Sequence, residues 1–195
     1  MKRVILSALF MTLIFIGGFT TSSFASESNP ITDELNRIAD EYEVGEVLSD
    51  EDAEFVLEHG NLAPESTDIM PIFSYSPTLS GSKTLNGVWV GVQASCNINH
   101  WNPFSNKYNC TVKANSNKGT VKAQLEHVAY GLLGKDGKLG KLYGRTFPAS
   151  SSKDNPTHAS LSAGDNYVGG VVVSTTTVRG TAVYGSTTVS AYDSY

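Results

Sequence analysis

The chain has 195 residues, a formal net charge of −5 and 10% aromatic residues, a composition that suits a globular protein with one sizeable core. Two cysteines are too few for a disulfide-dense scaffold or a cysteine-rich zinc site, and four arginines make a nucleic-acid binder a poor fit. The charge is divided unevenly. Glu27 to Asp68 carries fourteen acidic residues against one basic residue, Arg37, whereas Ile69 to Tyr195 carries eleven basic and five acidic residues.

The chain opens MKRVILSALFMTLIFIGGFTTSSFASE, with Lys2 and Arg3 ahead of an uncharged apolar run, Val4 to Phe19. That run is shorter than the roughly 20 residues a bilayer span needs. Ser23 and Ala25 put small residues before a cut between Ala25 and Ser26. Residues 1–25 are therefore predicted to be a secretory signal peptide. The product is expected to be secreted and extracellular, released by a bacterium of Gram-positive type.

Residues 26–62 read as an acidic arm of two short helices. Ile31, Leu35, Ile38 and Tyr42 recur at helical spacing, with Thr32 as a partial cap. In LSDEDAEFVLEHGN, Ser49 and Asp52 form a capping pattern and Gly60 supplies a stop. Helices this short need something to pack on. The arm is expected either to pair with the basic remainder of the chain, as a permanent part of the fold, or to act as a propeptide. Residues 63–84, with Pro64, Pro71 and Pro77, read as a linker whose apolar pieces can dock as an extended strand.

From Leu85 the pattern alternates with period two. Residues 85–195 predict an all-β domain, an antiparallel β-sandwich or partly open barrel of about seven or eight strands. NSNKG, flanked on both sides by TVKA, reads as a hairpin turn, GKDGKLG as a second turn and SSSKDNP as a polar loop. VVVSTTTVRGTAVYGSTTVSAY is Ser/Thr-rich and almost uncharged. That composition suits edge strands with Thr outside, and also a membrane-inserting hairpin.

Cys96 and Cys110 are expected to form a disulfide, closing a 15-residue loop at the end of one strand and the start of the next. The loop CNINHWNPFSNKYNC holds His100, Trp101, Phe104 and Tyr108 among several Asn. Aromatic faces beside amides suit sugar rings or a membrane interface, so these four residues are the predicted ligand-binding set. Lys113, Lys118, Lys122, Lys135, Lys138 and Lys141 are predicted to form a basic face for cell-wall polymer, polysaccharide or an anionic membrane surface.

Catalytic signals are weak. His59, His100, His127 and His158 show no HExxH spacing, so no metal and no cofactor is expected. No G-x-S-x-G nucleophile turn occurs. Glu126 and Asp165 are a carboxylate pair that nothing singles out for glycoside hydrolysis. The leading expectation is a non-catalytic binding protein of the cell envelope or extracellular milieu. The rival classes are a membrane-active toxin or antimicrobial masked by the acidic arm and, third, a hydrolase.

Overall fold

The computed structural model describes residues 30–62, 74–100 and 104–195. The predicted signal peptide with its expected Ala25–Ser26 cleavage point, residues 63–73 of the linker, and Trp101 lie outside the described residues. The elements in chain order are two helices, α1 (Pro30–Glu41) and α2 (Asp50–His59), then ten strands. These are β1 (Asn61–Leu62), β2 (Ser74–Tyr75), β3 (Thr78–Leu85), β4 (Val88–Asn99) and β5 (Asn106–Ser116). β6 (Thr120–Leu133), β7 (Lys138–Ser150), β8 (His158–Tyr167), β9 (Val171–Tyr184) and β10 (Thr187–Ser194) complete the chain.

The strands form two five-stranded antiparallel sheets, so the fold is an all-β sandwich preceded by short helices. In sheet A, β9 pairs with β6 on one side and with β10 and β1 on the other, and β7 is the far edge. In sheet B, β4 pairs with β5 on one side and with β3 and β2 on the other, and β8 is the far edge. The strand count exceeds the sequence expectation partly because β2 and β3 occupy the C-terminal half of the supposed linker. Thr78–Leu85 alternates exposed and inward residues and pairs along its whole length with β4.

The TVKA repeat does not flank a hairpin. β5 belongs to sheet B and β6 to sheet A, and the two strands share no ladder. Asn117 to Gly119 carries the chain from one sheet to the other. Val112 and Ala114 on β5 and Val121 and Ala123 on β6 all point into the space between the sheets. Two Val-x-Ala rows can share a core by facing each other just as they can by lying side by side, and here they face each other. Leu79, Val90, Leu125 and Val178 fill the same core. Sequestering each Val or Leu side chain from water is worth about 1.5–3 kcal/mol before entropic costs.

Sheet A is covered on its second face as well. Leu35, Ile38, Leu48 and Val56 of the arm pack on Val128, Tyr130, Leu139 and Val173. β9 therefore lies between two layers, and Ser174, Thr175, Thr176 and Thr177 are all buried. The β9 part of the Ser/Thr-rich stretch is a central strand rather than a solvent-facing edge, whereas the β10 part lies at the edge of sheet A and pairs with β9 alone. α1 begins at Pro30, a residue preorganised for the first helical position, so Thr32 lies inside the helix and its hydroxyl meets Ser194 Oγ at 2.7 Å. Ser49 caps α2 as its sequence predicts, accepting the Asp52 N–H at 3.1 Å. Gly60 ends α2 with an extended backbone, not a left-handed one. A glycine is needed there because any Cβ would overlap the Val173 side chain and the Val56 carbonyl.

Polar contacts fix the arm in place. Lys141 Nζ donates to the carbonyls of Ala39 and Tyr42 at 2.5 and 3.0 Å, closing the C-terminal end of α1. Residues 45–48 run along β7, with Leu48 N donating to Leu139 O and Lys141 N donating to Glu46 O, both at 2.9 Å. Burial pushes Asp52 toward protonation, but hydrogen bonds from Tyr42, Ser49 and Arg37 outweigh it and hold its carboxyl below the usual range.

Candidate ligand-binding face

Alternation along β4 and β5 decides which side chains reach solvent. Cys96 and Cys110 are direct cross-strand partners with Cα atoms 4.0 Å apart, and their disulfide lies in the core. The strands run past the bond, to Asn99 on one side and from Asn106 on the other, so it staples the interior of a ladder rather than the neck of a loop. Tyr108 sits two residues before Cys110, on the same inward face, and is fully buried. His100 is 8% exposed, whereas Phe104 is 83% exposed. The described members of the predicted aromatic set therefore do not share a surface: Tyr108 and His100 belong to the interior, and Phe104 stands outside.

The interior residues form a hydrogen-bonded chain between the sheets. Tyr167 Oη lies 2.6 Å from His100 Nε2 and 3.0 Å from His127 Nε2, and His127 Nδ1 lies 2.9 Å from Thr176 Oγ1. With the Thr176 hydroxyl donating to His127 Nδ1, His127 Nε2–H donates to Tyr167 and Tyr167 O–H donates to His100 Nε2. The reverse order satisfies the same atoms, and both keep the imidazoles neutral. Tyr108 stacks on His127 with ring centroids 4.2 Å apart. Its hydroxyl donates to Tyr143 at 2.9 Å, and Tyr143 donates to Asp165 at 3.1 Å, where Arg145 pairs with the same carboxylate. Burial lowers His100 to about 4, and burial with His100 nearby lowers His127 to about 3. Both rings are neutral and enclosed, with both His127 nitrogens and His100 Nε2 engaged by neighbouring hydroxyls.

Glu126 and Asp165 do not face one cleft. Glu126 is on the helix-covered side of sheet A, where burial and then Asp40 raise its pKa. Asp165 is on β8 of sheet B, where the Asn166 N–H and then Arg145 hold its carboxyl low. Among the described residues no group of three or more His, Cys, Asp and Glu is placed to hold a metal.

The six lysines do not make one face either. Lys113 is on the outside of sheet B, Lys118 in the crossing between sheets, Lys122 on the outside of sheet A, and Lys135 in the turn between β6 and β7. Lys138 pairs with Asp50 of the arm at 3.5 Å, and Lys141 is spent on α1. Their closeness in sequence is undone by the crossing from sheet B to sheet A, which sends residues on either side of Gly119 to opposite faces of the molecule.

Among the described residues, no element covers the outside of sheet B. Val88, Val90 and Val92 point inward on β4, so Trp89 and Gln93 point out. Trp89 lies down on Gly91, where an added Cβ would stand 2.6 Å from the indole Cζ2, so only glycine lets the ring lie flat on the sheet. The Trp89 N–H donates to Asn117 Oδ1 at 2.8 Å, and Asn117 Nδ2 donates to Gly87 O at 3.1 Å, which ties two turns together at the ring's base. Beside the ring runs a groove of about 340 Å³ lined by Ser80, Ser82, Gln93 and Asn115. It shares Ser80 and Gln93 with a second depression of about 400 Å³ reaching Thr78, Ser95, Thr111 and Lys113. The face thus offers one apolar platform, rows of hydroxyl and amide groups, and no carboxylate. Sequence reasoning passed over Trp89, although the Val-Trp-Val-Gly-Val alternation already put it outside and set a glycine beneath it. No family model, curated protein or solved structure matches the chain.

Proposed function

We propose that the protein is a secreted, non-catalytic polysaccharide-binding protein of the bacterial envelope or its surroundings, and that the outer face of sheet B is its binding surface. The observation that carries this reading is Trp89 lying flat over Gly91 beside a groove of neutral hydroxyl and amide groups. A sugar ring presents C–H groups to an aromatic face and hydroxyls to neighbouring amides, so platform and groove complement its two kinds of surface. The arm favours a permanent place in the product over the role of a removable mask. It covers the apolar outer face of sheet A, not the Trp89 face, and its loss would bare Val128, Tyr130, Leu139 and Val173 to water.

The test is retention on insoluble cell-wall and plant polysaccharides, comparing the wild type with Trp89→Ala and Gly91→Val. Wild-type protein should be retained, and both variants should lose about tenfold or more in affinity, equivalent to roughly 1.4 kcal/mol. Gly91→Val keeps the indole but lifts it off the sheet. Retention of both variants at the wild-type level, with folding confirmed by circular dichroism, would remove the platform from the account.

A further inference from the structure

The proposed polysaccharide face also carries information about the charge of its ligand. Apart from Trp89 and glycine, the outward positions of β3, β4, β5 and β8 hold Ser, Thr, Asn, Gln, one His and two lysines, Lys107 and Lys113, and no acidic residue. Elsewhere acids outnumber bases, for the whole chain has a net charge of −5. Asp193 of β10 reaches the edge of this face, where its carboxylate is engaged by the Ser80 backbone N–H at 2.8 Å. Lys113 extends into the groove that continues from Trp89, opposite Gln93 in the ladder. It is the one cation lining either depression.

Resting on the reading of this face as a glycan surface, we infer that the ligand is an acidic polysaccharide. One sugar ring stacks on Trp89, and Lys113 meets a carboxylate or phosphodiester of the same polymer. The indole lies over Gly91, and two residues of strand rise and one inter-strand step separate the Cα atoms of Gly91 and Lys113 by about 8 Å. A lysine side chain spans that gap, so the anion sits on the stacked unit or the next one. A polymer that makes both contacts gains from the linkage. The overall negative charge of the protein gives this local site a second consequence. The net charge of −5 supplies no general attraction to an anionic polymer, so a preference for one must come from a patch of this kind.

The inference is tested by affinity electrophoresis of the full secreted chain. Gels contain polygalacturonate, its fully methyl-esterified form, or a glycosylated poly(glycerol phosphate). The first two share a backbone and differ in charge, and the third separates phosphodiester from carboxylate. Wild-type protein should bind at least one anionic polymer about tenfold more tightly than the neutral ester, and 0.5 M salt should reduce that preference. Lys113→Gln should abolish the preference while keeping weak binding to the neutral polymer, and Trp89→Ala should weaken binding to every polymer that the wild type holds. Equal wild-type binding to charged and neutral forms, or equal losses on both in Lys113→Gln, overturns the acidic ligand and leaves the glycan face standing. Trp89→Ala binding like wild type, or no binding by wild type to any of the three and to the insoluble polymers above, overturns the face itself and this inference with it.

Discussion

Acid should destabilise this protein above the usual carboxylate range, because two imidazoles are locked between the sheets without charge. Burial lowers His100 to about 4. Burial together with His100 lowers His127 to about 3. In the unfolded chain both rings return to about 6.5. Since the folded values are the lower ones, unfolding takes up protons below pH 6.5. Stability is complete above that pH and is lost as pH falls toward the folded values. Moving from pH 7.5 to 5.0 costs about 2 kcal/mol for each ring, about 4 kcal/mol together. That is a large share of the ~5–15 kcal/mol that holds a domain.

The groups facing the rings do not cancel this effect. Tyr75, Tyr108, Tyr143 and Tyr167 are neutral, with burial pushing each hydroxyl up, and Asp165 is held low. Glu126 works in the opposite sense, since burial raises it, and it offsets part of the loss near the lower end. Urea unfolding at pH 7.5, 6.5, 5.5 and 5.0 reads the effect directly. The slope of stability against pH should approach ~2.7 kcal/mol per pH unit near pH 5, the value for two protons taken up. His100→Gln keeps a partner for Tyr167 and should halve that slope. A flat profile between pH 6.5 and 5.0, or an undiminished slope in His100→Gln, would refute the account of the buried chain.

Two further outcomes follow from the packing. Replacing Cys96 and Cys110 together with Ala should lower stability by about 3 kcal/mol, the chain-entropy value for a 15-residue closed loop; an unchanged urea midpoint under non-reducing conditions would show that the β4–β5 ladder needs no staple. Lys141→Met should leave the Ala39 and Tyr42 carbonyls unpaired and loosen the arm by about 1–3 kcal/mol, seen as faster amide exchange across residues 30–48 with β4 and β5 unaffected. Uniform exchange changes throughout the chain would assign Lys141 to global stability instead.

Much of the architecture is legible in the residues. The period-two pattern, the disulfide partners, the Ser49 cap and the polar loop after Ser150 all announce themselves, because each depends on local spacing. What is not legible depends on which strands become neighbours. The repeated TVKA looks like a hairpin, since the same alternation serves two strands in one sheet or two strands facing across a core. That one ambiguity sends Lys113 and Lys122 to opposite sides of the molecule and dissolves the expected basic face. The aromatic loop misleads for a related reason. Counting by twos from Cys110 assigns Tyr108 to the interior, but only if the strand continues past the cysteine, which loop-like asparagines disguise. Trp89 was readable in the same way, and its significance emerges only when Gly91, Asn117 and the groove come together around it.

The helical layer also gives the molecule an electrical direction. Residues 30–62 carry eleven acidic side chains and lie against sheet A, whereas the open side of sheet B carries Lys107 and Lys113 and no acid. The resulting dipole moment points across the sandwich. Near a negatively charged boundary it exerts a torque that turns the acidic layer away and brings Trp89 forward. Encounters would then be biased toward poses that present the proposed binding face before any contact forms, and the bias would fade as ionic strength shortens the Debye length to about 8 Å in physiological salt.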